Sequence, residues 1–327
     1  FNCIEILNIF KNNINVLRII LEKEIISLDS SVILYLRKNR YKNSIKYAYY
    51  FFTIIQKKFN QKKINLIKSN LSKTCNIDFD EWIKKSQIGE NDSHICYLIR
   101  NDLLIDFIVF INKNNIFLSS EINSSYFETN QFLMKRKTTL IEYAAFFGSI
   151  QIFQYLKTND VALTPSLWLY AIHGRNPEII YILEEAEIEP EDKSYFQCFI
   201  ESIKCHHNEI ASYLIDNLVT NQNKEEIVEC CFHYHNFAFL PNEFIELSHI
   251  FQYCCKYGFF NLVDLILINN NFDSNEPYTI YFSDDELYDI TIYEYGMRLA
   301  ANKNNLSILY HLLNQKKIQI QKYVFKQ

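Results

Sequence analysis

The chain has 327 residues, 33 Lys+Arg against 38 Asp+Glu for a net charge of −5, 49% apolar side chains, 5 Gly, 5 Pro and 9 Cys. With half the chain apolar, global disorder is excluded. So few Gly and Pro exclude the many tight turns of an all-β sandwich or barrel and leave helices joined by polar turns. An odd cysteine count without a CxxC pair excludes a disulfide scaffold and places reduced thiols in the helices of an intracellular, cytoplasmic protein. The apolar runs at 48–55 and 103–111 are too short or too interrupted to cross a bilayer. The chain opens on Phe1 rather than Met, so its true N-terminus is open. Because 47 Ile, 35 Asn, 26 Phe and 23 Tyr reflect a compositional bias, periodicity carries more weight than propensity.

Residues 1–90 hold 16 basic and 8 acidic side chains. Between Asp29 and Asp78 there is no acid, while eleven Lys and Arg occur there. Ile45, Tyr49, Phe52 and Phe59, then Ile64, Ile67 and Leu71, recur at helical spacing. This reads as a helical N-terminal domain, 1–90, with a basic face, closed by the polar cluster GENDS at 89–93. Lys57, Lys58, Lys62 and Lys63 fall at i, i+1, i+5 and i+6 and form a candidate anion-binding set for nucleic acid or an anionic membrane. The competing reading is a solvated face of amphipathic helices.

From residue 91 to 327 the sequence repeats itself. TTLIEYAAFFGSIQIFQYL at 138–156 predicts a helix with Ile141, Ala144 and Ala145 inward, a break at Gly148, and a second helix burying Ile152, Phe153, Tyr155 and Leu156. Such a pair cannot bury its own apolar face, so neighbours must stack on it, and the small Ala pair permits close approach. Paired positions of the same kind are Tyr97 and Leu98, Ala171 and Ile172, Ser202 and Ile203, Cys230 and Cys231, Cys254 and Cys255, and Ala300 and Ala301. Their separations are loose, and two long ones contain insertions. The later insertion, with a β-branched and aromatic stretch around Tyr278 to Phe282, is expected to form an extended or hairpin excursion.

The run Thr139, Leu140, Ile141, Glu142, Tyr143, Ala144, Ala145, then Gly148, then Ile152, Phe153, Tyr155 and Leu156, resembles the ankyrin repeat, with Leu140 at its turn proline and Glu142 at its usual histidine. Together with ICYLIRND, LWLYAIHGRNPEII and IKCHHNEIASYL, the chain from about 91 to 315 is similar to the degenerate ankyrin proteins expanded in parasitic protists. The resemblance implies a helical solenoid for protein binding, with no catalytic residues to carry over. The fold class read here is therefore all-α: an ankyrin-like helical-pair solenoid over 91–327, preceded by the helical N-terminal domain.

Enzyme-like clusters do not survive their spacing. Cys230, Cys231, His233 and His235, or Cys205, His206 and His207, superficially resemble metal ligands, but adjacent helical residues diverge by about 100°, and paired Cys occupy the slots of Ala144 and Ala145. No nucleophile turn, calcium loop or phosphate-cradling glycine loop is present. No metal, cofactor, small-molecule substrate or enzymatic activity is expected. The expected function is an interaction scaffold, its protein partner unidentified, binding at the first-helix ends just after each small pair: Phe146, Phe147, His173, Lys204, Phe232, His233, Lys256, Tyr257, Asn302 and Lys303.

Overall fold

The computed structural model describes residues 3, 6, 7, 14–38, 50–56, 60–62, 64, 65, 68, 69, 79–220, 223–241, 246–268, 272, 273, 275, 277–281 and 287–316. The protein is all-α apart from one two-stranded hairpin among these residues. No described helix is long and apolar enough to cross a membrane. The chain divides into two compact units, Phe1–Ile188 and Glu189–Gln327.

The first unit begins with helices α1 (Ile14–Glu22) and α2 (Ser30–Lys38). Asp29 starts α2: its Oδ1 accepts from the backbone N–H groups of Ser31 and Val32, both at 2.8 Å, satisfying donors that the first turn leaves orphaned. Leu17, Ile20, Leu21 and Val32 bury one face of this pair against Leu7, Ile26, Tyr50, Phe51 and Ile54. A short α3 (Phe52–Ile55) follows. Helix α4 (Phe79–Ile88) buries Trp82 against Phe127, ring centroids 4.6 Å apart. The polar segment after it is well anchored. The Gly89 carbonyl accepts from Thr129 N–H and Oγ1 at 3.1 and 2.6 Å, and the Asn91 amide donates to the Asn123 carbonyl at 2.8 Å. Arg100 donates to the Asn91 carbonyl and the Tyr143 hydroxyl, both at 2.8 Å.

Helix pairs then follow: α5 (His94–Arg100) with α6 (Leu104–Asn114), and, after a short α7 (Gln131–Met134), α8 (Leu140–Phe147) with α9 (Ile150–Thr158) and α10 (Leu167–Gly174) with α11 (Pro177–Glu185). The second unit holds α12 (Phe196–Lys204) with α13 (Asn208–Asn217), α14 (Lys224–Tyr234) with a 3-10 turn at Phe237–Phe239, α15 (Leu247–Tyr257) with α16 (Phe260–Ile268), the strands β1 (Pro277–Tyr281) and β2 (Leu287–Thr291), and α17 (Ile292–Asn302) with α18 (Leu306–Lys316). Within each unit the first helices of successive pairs lie side by side.

One turn recurs in all seven pairs. The first helix ends on a left-handed residue: Asp102, Gly148, Arg175, His206, His235, Gly258 and Asn304, with φ between 50° and 90°. In six, the next N–H bonds to the carbonyl five residues back: Leu103 to Leu98, Ser149 to Ala144, His207 to Ser202, Asn236 to Cys231, Phe259 to Cys254 and Asn305 to Ala300, at 2.8–3.0 Å. This is the Schellman closure, satisfying carbonyls that the last helical turn leaves open. It fixes the register. The small pairs at 144, 202, 254 and 300 stand where the sequence put them, and Arg175 N–H bonding to the Ala171 carbonyl fits the pair at 171. At two pairs the structure slips by one residue, to Leu98 and Ile99 and to Cys231 and Phe232; Tyr97 is 49% exposed.

Both insertions close in the same way. Before α17, β1 and β2 pair antiparallel from Pro277↔Thr291 to Tyr281↔Leu287, as expected for this stretch. Before α8, Ile122 N–H bonds to the Thr138 carbonyl and Leu140 N–H to the Ser120 carbonyl. Each returning segment ends on a threonine, Thr139 or Thr291, whose side chain caps the helix in a reciprocal box with Glu142 or Glu294; this satisfies two orphan donors at once. Glu142 also accepts from Ser166 at 2.7 Å, tying α8 to the next pair.

The packing between α8 and α10 requires glycine. A Cβ on Gly174 would overlap the Ala145 carbonyl oxygen, and one on Gly148 would lie 2.7 Å from the Gly174 carbonyl oxygen. Gly174→Ala is therefore expected to force the two backbones apart and destabilise the first unit by about 1–3 kcal/mol. A denaturant midpoint equal to that of wild type would contradict this packing.

Candidate interaction face

The turn places two residues at each first-helix end immediately before the left-handed residue. In the second unit these are Lys204 and Cys205, His233 and Tyr234, Lys256 and Tyr257, and Asn302 and Lys303. Lys204, His233, Asn302 and Lys303 are exposed, and Lys256 and Tyr257 are half-buried.

The centre of this row is an ordered cluster. The His233 ring stacks on Tyr234, centroids 4.4 Å apart, and on Tyr257 of the neighbouring helix at 5.0 Å and 20°. Glu229, one turn before His233, accepts from Lys256 Nζ and from the Tyr257 hydroxyl through the same oxygen, each at 2.6 Å. Burial raises the Glu229 carboxyl, but the Lys256 and Tyr257 hydrogen bonds and the Lys256 charge outweigh it, and the carboxyl titrates below its ordinary range. Burial and the Glu229 carboxylate together push the Tyr257 phenol up. Lys204 is held by Glu201 at 2.8 and 2.9 Å. Burial pushes the thiols of Cys205 and Cys230 up to about 12 and about 11, so both stay protonated near neutral pH.

The other expected residues divide. Phe232, 3% exposed, packs in the core with Val228 and Phe251 and against Tyr253; the one-residue slip at Cys231 turns it into the small-pair slot and puts the half-buried Tyr234 at the helix end instead. In the first unit Phe146, 8% exposed, is covered by Phe132 at 5.7 Å and His173 at 4.8 Å. Phe147 and His173 are half-buried: Phe147 packs on Tyr143 at 4.7 Å, with the Arg100 guanidinium 5.9 Å from its ring. The Arg136 guanidinium sits 4.0 Å over Phe132, a favourable cation–π distance. Of the lysines at the N-terminal end, Lys62 is exposed; Lys57, Lys58 and Lys63 lie outside the described residues. Sequence reasoning missed Glu229, Tyr234 and Phe132. Glu229 was detectable as the acid one helical turn before His233, whereas Phe132 comes from an insertion without periodicity.

His233 gives this face a pH signature. The residue is exposed, but partial burial of its ring against Tyr234 and Tyr257, with Lys303 and Lys256 nearby, holds the imidazole below the ordinary 6.5 despite the Glu229 carboxylate. The unfolded chain therefore takes up that proton first, and as pH falls below about 6.5 the stability contributed by the neutral, stacked ring is lost. His233→Gln is expected to flatten the fall in melting temperature between about pH 6.5 and 5; an unchanged slope would contradict the stack. No protein-family model matches the chain, and no curated protein matches it.

Proposed function

We propose that the chain is a degenerate ankyrin-like solenoid that binds a protein partner on the face made by its first-helix ends. The observation that carries this reading is the Tyr234–His233–Tyr257 stack, fastened by the Glu229 hydrogen bonds to Lys256 and Tyr257. Rings already held in place lose less freedom on binding, a saving of roughly 0.5–1.5 kcal/mol for each side chain that needs no further ordering. Tyrosine and other large aromatics are also the side chains that dominate interface energies. Lys204, Asn302 and Lys303 extend the row with exposed polar and basic groups, suited to a partner segment that presents carboxylates and apolar side chains.

Three further features support the reading. The left-handed turn recurs in every pair, each pair's first helix lies beside the next within its unit, and the residues from Thr139 to Leu156 resemble the ankyrin repeat, with Leu140 at its turn proline and Glu142 at its usual histidine. The role is binding rather than catalysis, and the protein works inside the cell, a compartment that its buried cysteines Cys96, Cys198, Cys231, Cys254 and Cys255 suit.

Capture of partners from native cell lysate tests the proposal. The quadruple variant Lys204→Ala, His233→Ala, Tyr257→Ala and Lys303→Ala, if folded by circular dichroism, is expected to lose at least tenfold of the captured partner. A folded variant that keeps every wild-type partner contradicts the proposal.

A further inference from the structure

The second helices of the last two pairs carry a feature that the first-helix face does not explain. Helix α16, FNLVDLILI, has seven apolar residues among nine, yet it buries one side only. Val263 and Ile266 are in the core, whereas Leu262, Leu265 and Ile268 are 39%, 64% and 70% exposed. Their i, i+3, i+6 spacing sets them along one outward stripe. On the adjacent α18, Tyr310 is 62% exposed. A helix apolar on all sides is normally buried on all sides, so this stripe lacks a cover among the described residues.

The charge around it points to the cover. Asp264 and His311 lie between the two helices and pair with each other at 3.1 Å, and the exposed neighbours Asn261, Ser307 and Asn314 are uncharged. Residues 260–268 and 306–314 contain no Lys or Arg, so nothing in the stripe attracts an anionic lipid surface or an acidic partner. Apart from Asp264, which His311 contacts, the stripe carries no charged side chain, and a two-fold rotation lays apolar stripe on apolar stripe. The exposed parts of these side chains amount to several hundred Å², on the order of the largest patch that a monomer leaves open and a large part of the ~800 Å² per partner of a standard interface.

We infer that the α16–α18 back face is a self-association surface, on which two copies of the chain pair through Leu262, Leu265, Ile268 and Tyr310. The contact is independent of the first-helix face. Because each copy has a net charge of −5, added salt screens their repulsion and strengthens the dimer, the opposite of its effect on a contact between basic side chains and an acidic partner.

Sedimentation velocity of the full chain at roughly 1 to 100 μM, in low and high salt, tests the inference. Wild type is expected to pass from 39.1 kDa to twice that mass as concentration rises, at lower concentration in high salt. Leu265→Lys with Ile268→Lys is expected to stay monomeric with unchanged helical content, and Leu265→Ser to weaken the dimer at least tenfold. Both positions are largely exposed, so both variants should fold, and both should still capture the partner of the first-helix face. A wild type that stays monomeric throughout, as it would if a different protein covers the stripe, overturns the inference. So does a folded double variant that dimerises like wild type, or open-ended assembly beyond two copies.

Discussion

Short helices stack in this protein because, at four of the seven left-handed turns, the polar side chain just past the turn reaches back to the end of the preceding pair. Ser149 Oγ donates to the Ile99 carbonyl at 2.5 Å, the Asn236 amide to the Ile203 carbonyl at 2.9 Å, and the Asn305 amide to the Cys255 and Lys256 carbonyls at 2.9 Å. The Asn176 amide reaches the Gly148 carbonyl at 2.9 Å. Ile99, Ile203 and Cys255 are equivalent positions, each one residue past the carbonyl that the turn itself closes on. Helices of seven to eleven residues are marginal alone, and each leaves four carbonyls open at its end. The turn satisfies some of these from within the pair, and the ladder satisfies another from the next. A buried carbonyl without its donor costs about 1–3 kcal/mol, so the ladder makes pair-on-pair stacking the state in which those groups are paired.

The same residues set the direction of the second helix. Asn176 donates to Gly148 while its Oδ1 accepts from Glu178 N–H at 2.9 Å, capping α11. Asp102, itself at a left-handed position, accepts from Gln151 and Ile152 N–H at 3.0 Å and caps α9 of the next pair. One carboxylate thus meets the positive end of a helix that belongs to its neighbour. Asn236 holds the end of α14 to α12, Asn305 holds the end of α15 to α17, and Glu229 joins α14 to α15 through Lys256 and Tyr257; together these bonds orient His233, Tyr257 and their neighbours as a surface rather than as loose tips.

The helix pairs were legible wherever small residues and a turn glycine coincide, as at Ala144, Ala145 and Gly148. The hairpin before α17 was legible from its β-branched and aromatic run. The turn itself was not. Its left-handed position is held by Arg175, His206 and His235 as well as by glycine; arginine gives no local signal for φ > 0 and histidine only a weak one. The ladder was hidden because Asn176, Asn236 and Asn305 stand among 35 asparagines. The slips at Leu98 and Cys231 have a physical reason: adjacent apolar residues leave helical phase ambiguous by about 100°, and only the turn's hydrogen bond selects the register. That one choice decides the face, since it buries Phe232 and exposes the ring of His233 beside Tyr234. Phe146 was read as an open tip because the residue that covers it, Phe132, arrives from an insertion.

Chemical denaturation of Asn236→Ala, Asn305→Ala and Asn305→Asp, with exposed Asn302→Ala as control, tests the ladder most directly. Each alanine variant is predicted to lose about 1–3 kcal/mol, and Asn305→Asp to lose more than Asn305→Ala because it turns a carboxylate toward two carbonyl oxygens. Asn302→Ala should stay within about 0.5 kcal/mol of wild type. Ladder variants no less stable than the Asn302 control would contradict the account.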